Sequence, residues 1–142
     1  YQNPDYYQWC LVDKATGAVF GSISICNGLA GEPEAAATWR RLGFDTSQGE
    51  WEPGYCIGRA WWGKGYTTEA LNAVVDYWFT RTDSTWLACC HAVENPASGR
   101  VMQKAGFVYD HDDTYHKFDG TPVPCHTYLL TRDAWQARKD TL

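Results

Sequence analysis

The sequence predicts a mixed α/β fold, and three observations support that prediction. Apolar residues recur at helical spacing from residue 67 to residue 81. Short apolar and aromatic runs, separated by turn residues, predict strands on both sides of that helix. A glycine-rich turn, Gly63-Lys64-Gly65, joins a strand directly to the helix. The predicted order of elements is β-β-β-α-β-α-β-β-α.

The first half of the chain is predicted to form three strands. The first two are Gln8–Asp13 and Val19–Cys26, at the spacing of a hairpin. Residues 28–48 are rich in Gly, Pro, Ser and Thr, which predicts a loop with about one turn of helix near residues 35–41. The third strand is predicted from Glu50 to Arg59. Its Pro53-Gly54 pair predicts a bulge or a distorted edge.

The second half alternates between helices and strands. The strongest helix runs from Thr67 to Arg81, with an acidic residue in its first turn and a basic one in its last. A short strand, Thr85–Ala92, precedes a second helix at Asn95–Ala105, where Asn95 is a good N-cap and Gly106 ends the helix. Two hairpin strands and a polar helix that begins at Asp133 complete the chain, the strands being Phe107–Phe118 and Cys125–Thr131.

Composition narrows the class of protein. The 142 residues, 44% hydrophobic and 20% charged, fit a single globular domain over residues 1–142. A net charge of −5 argues against a nucleic-acid partner, because binding phosphate backbones needs a clustered basic surface. No apolar run is long enough to span a membrane and no leader sequence precedes Tyr1. We therefore expect a soluble, cytoplasmic protein.

The six cysteines lie in apolar, strand-like stretches and form no Cys-x-x-Cys pair. An even number of cysteines is compatible with disulfides. Free cysteine, however, behaves as a small buried hydrophobe, and thiols stay reduced in the cytosol. We expect six reduced thiols.

The turn before the long helix is the feature that indicates chemistry. A helix N-terminus leaves backbone N–H groups unpaired at the positive end of its dipole, and glycines let the backbone approach a ligand closely. Such a turn can bind phosphate, although a Gly-x-Gly before a helix is often only a tight turn. The spacing matches neither a P-loop nor the dinucleotide-binding fingerprint.

Two longer motifs surround this turn. The run from Glu52 to Ala70 closely resembles the acetyl-CoA-binding segment of the GNAT superfamily of N-acetyltransferases. The block from Glu94 to Phe107 resembles the Asn-x-x-Ser…Lys-x-Gly-Phe segment of the branch that acetylates ribosomal-protein N-termini and related amines. Residues 12–23 resemble the early hairpin of that branch. The resemblance extends over residues 9–131.

The resemblance implies the GNAT fold, with a central, mostly antiparallel sheet flanked by helices, and acetyl-CoA as the cofactor. A splayed strand would bind the pantetheine and the thioester carbonyl, a glycine cradle would hold the pyrophosphate, and the second helix would bind the pantetheine arm. The implied cofactor-binding residues are Cys56, Ile57, Gly58, Arg59, Trp62, Gly63, Lys64, Gly65, Tyr66, Thr67, Asn95 and Ser98.

For catalysis, the resemblance favours Glu52 as the general base, acting through water, and Ser98 as the acid or the hydroxyl that faces the thiol. Tyr55 and His91 are expected near the acceptor amine. Each of these residues has a simpler interpretation. Glu52 can be a solvated carboxylate and Ser98 a first-turn helix residue. Tyr55 can be an aromatic core residue and His91 a strand residue. A metal site at His111, Asp112, Asp113 and His116 is not expected, because strand alternation would place these residues on different faces.

The sequence departs from the family pattern at two places. Ala60 stands where the pyrophosphate motif usually begins with Gln or Arg, which matters little if the phosphates are held by the main chain. Relatives usually carry a strand and two helices before the early hairpin, so the chain looks N-terminally truncated. An open edge at Gln8–Asp13 would then favour a homodimer. Two alternatives remain open: an acetyl-CoA-binding module without transferase activity, and a structural or interaction domain.

Overall fold

A computed structural model describes residues 3–141, which form one six-stranded sheet and four α-helices. The strands are β1 (Tyr6–Val12), β2 (Val19–Asn27), β3 (Trp51–Ile57), β4 (Trp86–Ala92), β5 (Val108–His116) and β6 (Pro122–Thr131). The helices are α1 (Pro33–Arg41), α2 (Tyr66–Arg81), α3 (Pro96–Lys104) and α4 (Arg132–Asp140), with a single 3₁₀ turn at Arg59–Trp61.

The strand order is β1-β2-β3-β4-β6-β5, and every neighbouring pair is antiparallel except β3 and β4. β2 and β3 are in register over seven positions. The parallel pair β3 and β4 has a single registered position, Trp51 opposite Leu87. The sheet is therefore continuous on each side of this junction and opens between β3 and β4.

Alternating residues of the strands place the main core on one face of the sheet. There α2 and α3 cover the sheet, and buried side chains such as Leu71, Phe79 and Met102 pack against Ile25 and Leu87. A smaller cluster lies on the opposite face, where Trp39 of α1 and Phe44 pack against Trp86, Ala88 and Leu129.

The predicted mixed α/β fold is confirmed, with one addition. The sequence predicted about one turn of helix near residues 35–41, whereas α1 is a nine-residue helix that begins at Pro33. Pro33 is preorganised for the first turn of a helix. Trp39 anchors α1 to the sheet, because its ring lies 5.4 Å from that of Phe44 and 4.8 Å from that of Trp86.

Of the two outcomes predicted at Pro53-Gly54, the bulge is absent, because the register of β2 and β3 is unbroken through this position. The distorted edge is present, because regular pairing of β3 with β4 ends at Trp51. Gly28 N–H donates to the Glu50 carbonyl and Gly58 N–H donates to the Phe20 carbonyl, so the even-numbered residues of β3 bond to β2. The nitrogen of Pro53 therefore points toward β4, where regular pairing ends. No ladder hydrogen bond is lost at the proline.

All six cysteines are free, but the expectation that they are buried holds for only two of them, Cys89 and Cys125. Cys10, Cys56 and Cys90 are exposed. These three are even-numbered residues, and the side chains of even-numbered residues in these strands point to the face of the sheet away from α2. Helix α1 covers that face only in part. Within residues 3–141, no helix is both long and apolar enough to cross a membrane.

Candidate active site

The opening between β3 and β4 forms the candidate site. The Cys89 thiol donates to the Pro53 carbonyl over 3.3 Å and closes the narrow end. Beyond this contact the strands separate, and a cleft of about 380 Å³ lies between β3, the 63–65 turn and α3. Its lining comprises Tyr55, Cys56, Ile57, Trp62, Gly63, Asn95, Ala97, Ser98 and Val101.

The backbone of β3 presents polar groups to this cleft. Since the even-numbered residues of β3 bond to β2, the N–H and C=O groups of Tyr55 and Ile57 point toward the opening. The indole N–H of Trp62 donates to the Ile57 carbonyl over 2.8 Å. The Tyr55 amide faces a gap in which β4 offers no ladder partner among the described residues. An extended amide-containing ligand can pair with this strand edge.

The turn at one end of the cleft is shaped by two glycines. Gly63 and Gly65 have φ values of +73° and +81°, a conformation that favours glycine, and a Cβ at either position would meet nothing within 4 Å. Gly65 is the N-cap of α2 and supplies no side chain to the helix end. Within residues 3–141, nothing accepts hydrogen bonds from the first-turn amides of α2, those of Tyr66, Thr67 and Thr68. Unpaired amides and open space at the glycines are the features by which helix N-termini bind anions.

Two cations stand beside the turn. The Arg59 guanidinium lies 5.5 Å from the centre of the Trp62 ring, which is 61% exposed. The Lys64 ammonium lies 5.5 Å from the centre of the Trp61 ring, and Trp61 in turn stacks on Phe20 at 4.5 Å. These aromatic contacts hold positive charge next to the free amides.

Tyr55 and Ser98 form a hydroxyl pair within the cleft. The Tyr55 hydroxyl lies 2.9 Å from Ser98 Oγ and donates to the Ser98 carbonyl over 3.1 Å. Burial is the main cause that raises the pKa of Tyr55, so its hydroxyl stays protonated near neutral pH. Asn95 caps α3 by accepting from the Ser98 amide at 3.4 Å. The sequence did not indicate the contact between Tyr55 and Ser98, because 43 residues separate them.

Glu52 lies at the closed end of the opening, on the face of β3 opposite Tyr55. It is partly buried, and burial is the main cause that raises its pKa. A hydrogen bond with Glu50 opposes that rise, and the negative charge of Asp113 adds to it. Glu50 is 3% exposed. The sequence analysis missed Glu50, although its position two residues before Glu52 places both side chains on one face of the strand.

Other predicted residues lie outside the cleft lining. His91 packs under α3 against Gly99, where it lines a separate pocket of about 270 Å³ with His126 and Tyr128. The Tyr66 ring lies against Phe20, so only its amide is near the cradle. The structure thus brings together Tyr55, Cys56, Ile57, Trp62, Gly63, Asn95 and Ser98, and leaves His91 apart.

This geometry agrees with comparisons to known proteins. Residues 1–108 match the family model described as the acetyltransferase (GNAT) domain. The chain belongs to this family. A GNAT acetyltransferase domain accounts for the open parallel pair, the glycine turn and the helix that begins there.

Two curated relatives of this GNAT domain come from Bacillus species. The protein described as uncharacterized N-acetyltransferase p20 of Bacillus licheniformis is 33% identical over 94 residues, which cover 63% of this chain and 51% of that protein. The chain spans about half the length of the curated relatives it matches.

Solved structures share the GNAT fold at low sequence identity. The spermidine N-acetyltransferase of Vibrio cholerae, in complex with CoA and spermine, superposes with a TM-score of 0.71 at 16% identity, over 95% of this chain and 70% of that chain. The aminoglycoside acetyltransferase AAC(6')-Ib, in complex with coenzyme A and kanamycin, gives 0.72 at 19% identity, over 95% and 72%.

Proposed function

We propose that the protein is an acetyl-CoA-dependent N-acetyltransferase that transfers an acetyl group to a primary amine, either a protein N-terminus or a small molecule. The observation that carries this proposal is the opening between β3 and β4, where the polar edge of β3 continues to the glycine turn at the start of α2. The family membership of residues 1–108 supports it.

The cleft fits the parts of acetyl-CoA in sequence. Free amides at the start of α2 and the space beside Gly63 and Gly65 suit a pyrophosphate, with Arg59 and Lys64 as neighbouring cations. The polar edge of β3 and the α3 residues Asn95 and Ser98 suit the pantetheine amides. Because main-chain groups supply most of these contacts, Ala60 at the start of the motif leaves the cradle intact.

Acetyl-CoA would supply the acetyl group and a thiolate leaving group. In this arrangement Glu52 takes a proton from the amine as the new C–N bond forms, directly or through one water molecule, and its raised pKa makes it a stronger base. The Tyr55 amide donates to the thioester carbonyl oxygen, where negative charge develops. As the C–S bond breaks, the bonding electrons go to sulfur and Ser98 gives its hydroxyl proton to the thiolate. The Tyr55 hydroxyl, 2.9 Å away, turns from the Ser98 carbonyl to return a proton to Ser98 Oγ, and the tyrosinate then takes a proton from water.

The choice of an amine acceptor draws on two kinds of support. The resemblance of residues 94–107 to the branch that acetylates ribosomal-protein N-termini favours a protein N-terminus. The solved structures of similar fold include enzymes with spermine and kanamycin bound, which favours a polyamine or an amino sugar. The acidic side chains around Glu52 are compatible with a cationic acceptor in either case.

A second candidate is an acetyl-CoA-binding module without transferase activity. It would bind the cofactor in the same cleft and would differ from the transferase in releasing no CoA when an amine is added. We also propose that the protein acts in a reducing, cytoplasmic compartment.

We propose further that it forms a homodimer through β1, which is an edge strand with polar backbone groups on its outer side. Sedimentation of a monomer at high protein concentration would contradict the dimer.

The first test is calorimetric titration with acetyl-CoA of the native protein and of Gly63→Asp, which places bulk and negative charge in the cradle. We expect saturable binding that the substitution abolishes. Release of free CoA is then measured with spermidine, kanamycin and a peptide with a free N-terminus. Release with any amine supports the transferase, whereas binding without release supports the binding module. Absence of acetyl-CoA binding by the native protein contradicts both.

A further inference from the structure

The carboxyl groups of Glu50 and Glu52 meet beside the end of β2. Both residues point to the face of β3 away from α2. Both carboxyl groups converge on Gly28: a Cβ at this glycine would lie 2.8 Å from Glu52 Oε2 and even closer to Glu50 Oε2. Gly28 does not have a positive φ. This position therefore requires glycine for the space it leaves and not for its backbone conformation. The Oε2 atoms of both carboxyl groups are thus brought into one small space, within reach of a hydrogen bond between them.

Glu50 is the more deeply buried of the two. Its side chain is 3% exposed, and its Oε1 atom has no hydrogen-bond partner within residues 3–141. A buried carboxylate without partners costs far more than a neutral carboxyl group in the same place. Burial and then the negative charge of Glu52 raise the pKa of Glu50 to about 9. Glu50 therefore carries a proton at neutral pH and is the donor of the pair.

The surroundings of the pair contain acidic groups and thiols from several elements. The titratable groups close enough to interact electrostatically with the pair are Cys26 of β2, Cys89 and Cys90 of β4, Asp113 of β5 and Cys125 of β6. None of these groups is a cation. The proton of Glu50 is thus what offsets the negative charge of Glu52 from within the pair.

We propose that Glu50 is a positioning residue for the general base: its protonated carboxyl group donates a hydrogen bond to Glu52, which keeps the Glu52 carboxylate ionised and oriented toward the acceptor amine. The inference rests on the proposed function, and it adds a residue and a proton to it. During transfer Glu52 accepts the amine proton while Glu50 keeps its own, so the pair goes from one proton to two.

The pair can be observed without any acetyl transfer. The infrared spectrum of the native protein at neutral pH should show the carbonyl stretch of a buried protonated carboxyl group. We expect Glu50→Gln to remove this band and Glu52→Gln to keep it. A native spectrum without the band, or a band that Glu52→Gln removes and Glu50→Gln keeps, overturns the proposal. This measurement decides the matter even if the protein transfers no acetyl group.

The pH dependence of kcat/KM separates positioning from simple packing. Gln at position 50 can still donate to Glu52, whereas Leu fills the space without a donor. We expect Glu50→Gln to retain kcat within about fivefold of the native value. Glu50→Leu should lose about tenfold or more and should move the acid limb of the profile upward by about one pH unit, because the hydrogen bond that lowers the pKa of Glu52 is gone.

These assays use whichever of spermidine, kanamycin or the peptide gives the fastest CoA release. The dissociation constant of acetyl-CoA should stay the same in both variants, which shows that each is folded. Identical pH profiles for Glu50→Gln and Glu50→Leu would assign Glu50 a packing role only and would overturn the proposal.

Discussion

The two ends of the proposed site differ in the chemical groups that they present. At the end proposed to bind the phosphates, the available contacts come from the backbone: two glycines with positive φ and the free amides of a helix N-terminus. At the acceptor end they come from titratable side chains, Glu50 and Glu52, whose protonation depends on burial and on each other. Binding at the first end should therefore depend on conformation and vary little with pH near neutrality, whereas chemistry at the second should depend on one proton.

This difference also determines which substitutions can disrupt each end of the site. Main-chain amides belong to no side chain, so most substitutions disrupt the cradle only by changing the space or the backbone around it, and only proline removes an N–H donor directly. A carboxylate is removed by replacing one oxygen with nitrogen. Substitutions at the two ends should consequently separate acetyl-CoA affinity from turnover: changes at one end should weaken binding, and changes at the other should lower kcat.

The largest effect is expected for Glu52→Gln. Removal of a general base typically lowers the rate by about 10²- to 10⁴-fold, and we expect kcat to fall within that range. The dissociation constant of acetyl-CoA should stay within about twofold of the native value, as measured by calorimetry, because Glu52 does not line the cofactor cleft. Glu34→Gln, an exposed change on α1, serves as the control. Equal losses of turnover in the two variants would exclude Glu52 as the base.

A smaller effect is expected at the opposite end for Gly65→Ala. An Ala at φ +81° is strained by about 1–2 kcal/mol, and its methyl group enters the space meant for phosphate. We expect acetyl-CoA to bind about tenfold more weakly. Gly120→Ala is a matched control, since Gly120 has φ +87° and a Cβ there also meets nothing within 4 Å. Both variants should lose similar stability, but only Gly65→Ala should lose affinity.

The phosphate end was the more predictable from sequence for a physical reason. Gly63, Lys64, Gly65 and the helix that follows are contiguous, so their spacing specifies the local backbone and the anion site together. The capping of α3 by Asn95 was predicted and is confirmed on the same grounds, because an N-cap acts within one turn. Local chemistry of this kind is readable from a single sequence.

The acceptor end was only partly predictable because it depends on contacts between distant residues. The hydrogen bond between Tyr55 and Ser98 and the convergence of Glu50 and Glu52 on Gly28 follow from how the strands and α3 are assembled. At Pro53-Gly54 the sequence predicted a bulge or a distorted edge, and only the assembly of the sheet decides for the distorted edge. A proline predicts a lost ladder bond, but not that its nitrogen points to a side where no ladder forms.

Glu50 should also make the stability of the protein depend on pH. Its pKa in the folded state, about 9, lies above the ordinary value near 4.5, so the folded state binds more protons than the unfolded state between these limits. Its stabilising contribution is complete below the unfolded pKa and is lost as the pH rises through the folded pKa. Relative to Glu50→Gln, the native Tm should fall by about 3 °C or more between pH 5 and pH 8.

Differential scanning calorimetry of the two proteins at a series of pH values measures this difference. Glu52 is present in both proteins, so its own titration largely cancels. A difference in Tm that stays constant across the range would mean that Glu50 is ionised in the folded state.

The smallest effect is expected for Tyr55→Phe, which removes one hydroxyl group from between the two ends. Among residues 3–141, Ser98 is the hydrogen-bond partner of the Tyr55 hydroxyl, so its loss should leave the phosphate cradle and the carboxyl pair unchanged. The substitution removes the group that returns a proton to Ser98 Oγ. A water molecule can take over this role at a modest cost in rate. We expect kcat to fall about three- to tenfold with little change in acetyl-CoA affinity.

Tyr109→Phe, at an exposed position on β5, is the matched control for Tyr55→Phe. The informative comparison is the double variant with Ser98→Ala. If the two hydroxyls act as one relay, Tyr55→Phe should have no further effect once Ser98 is gone, because the proton has no carrier left to pass through. Effects that multiply would mean that the two hydroxyls act separately. The leaving-group proton would then have to come from Ser98 alone, with Tyr55 serving to position α3 against β3.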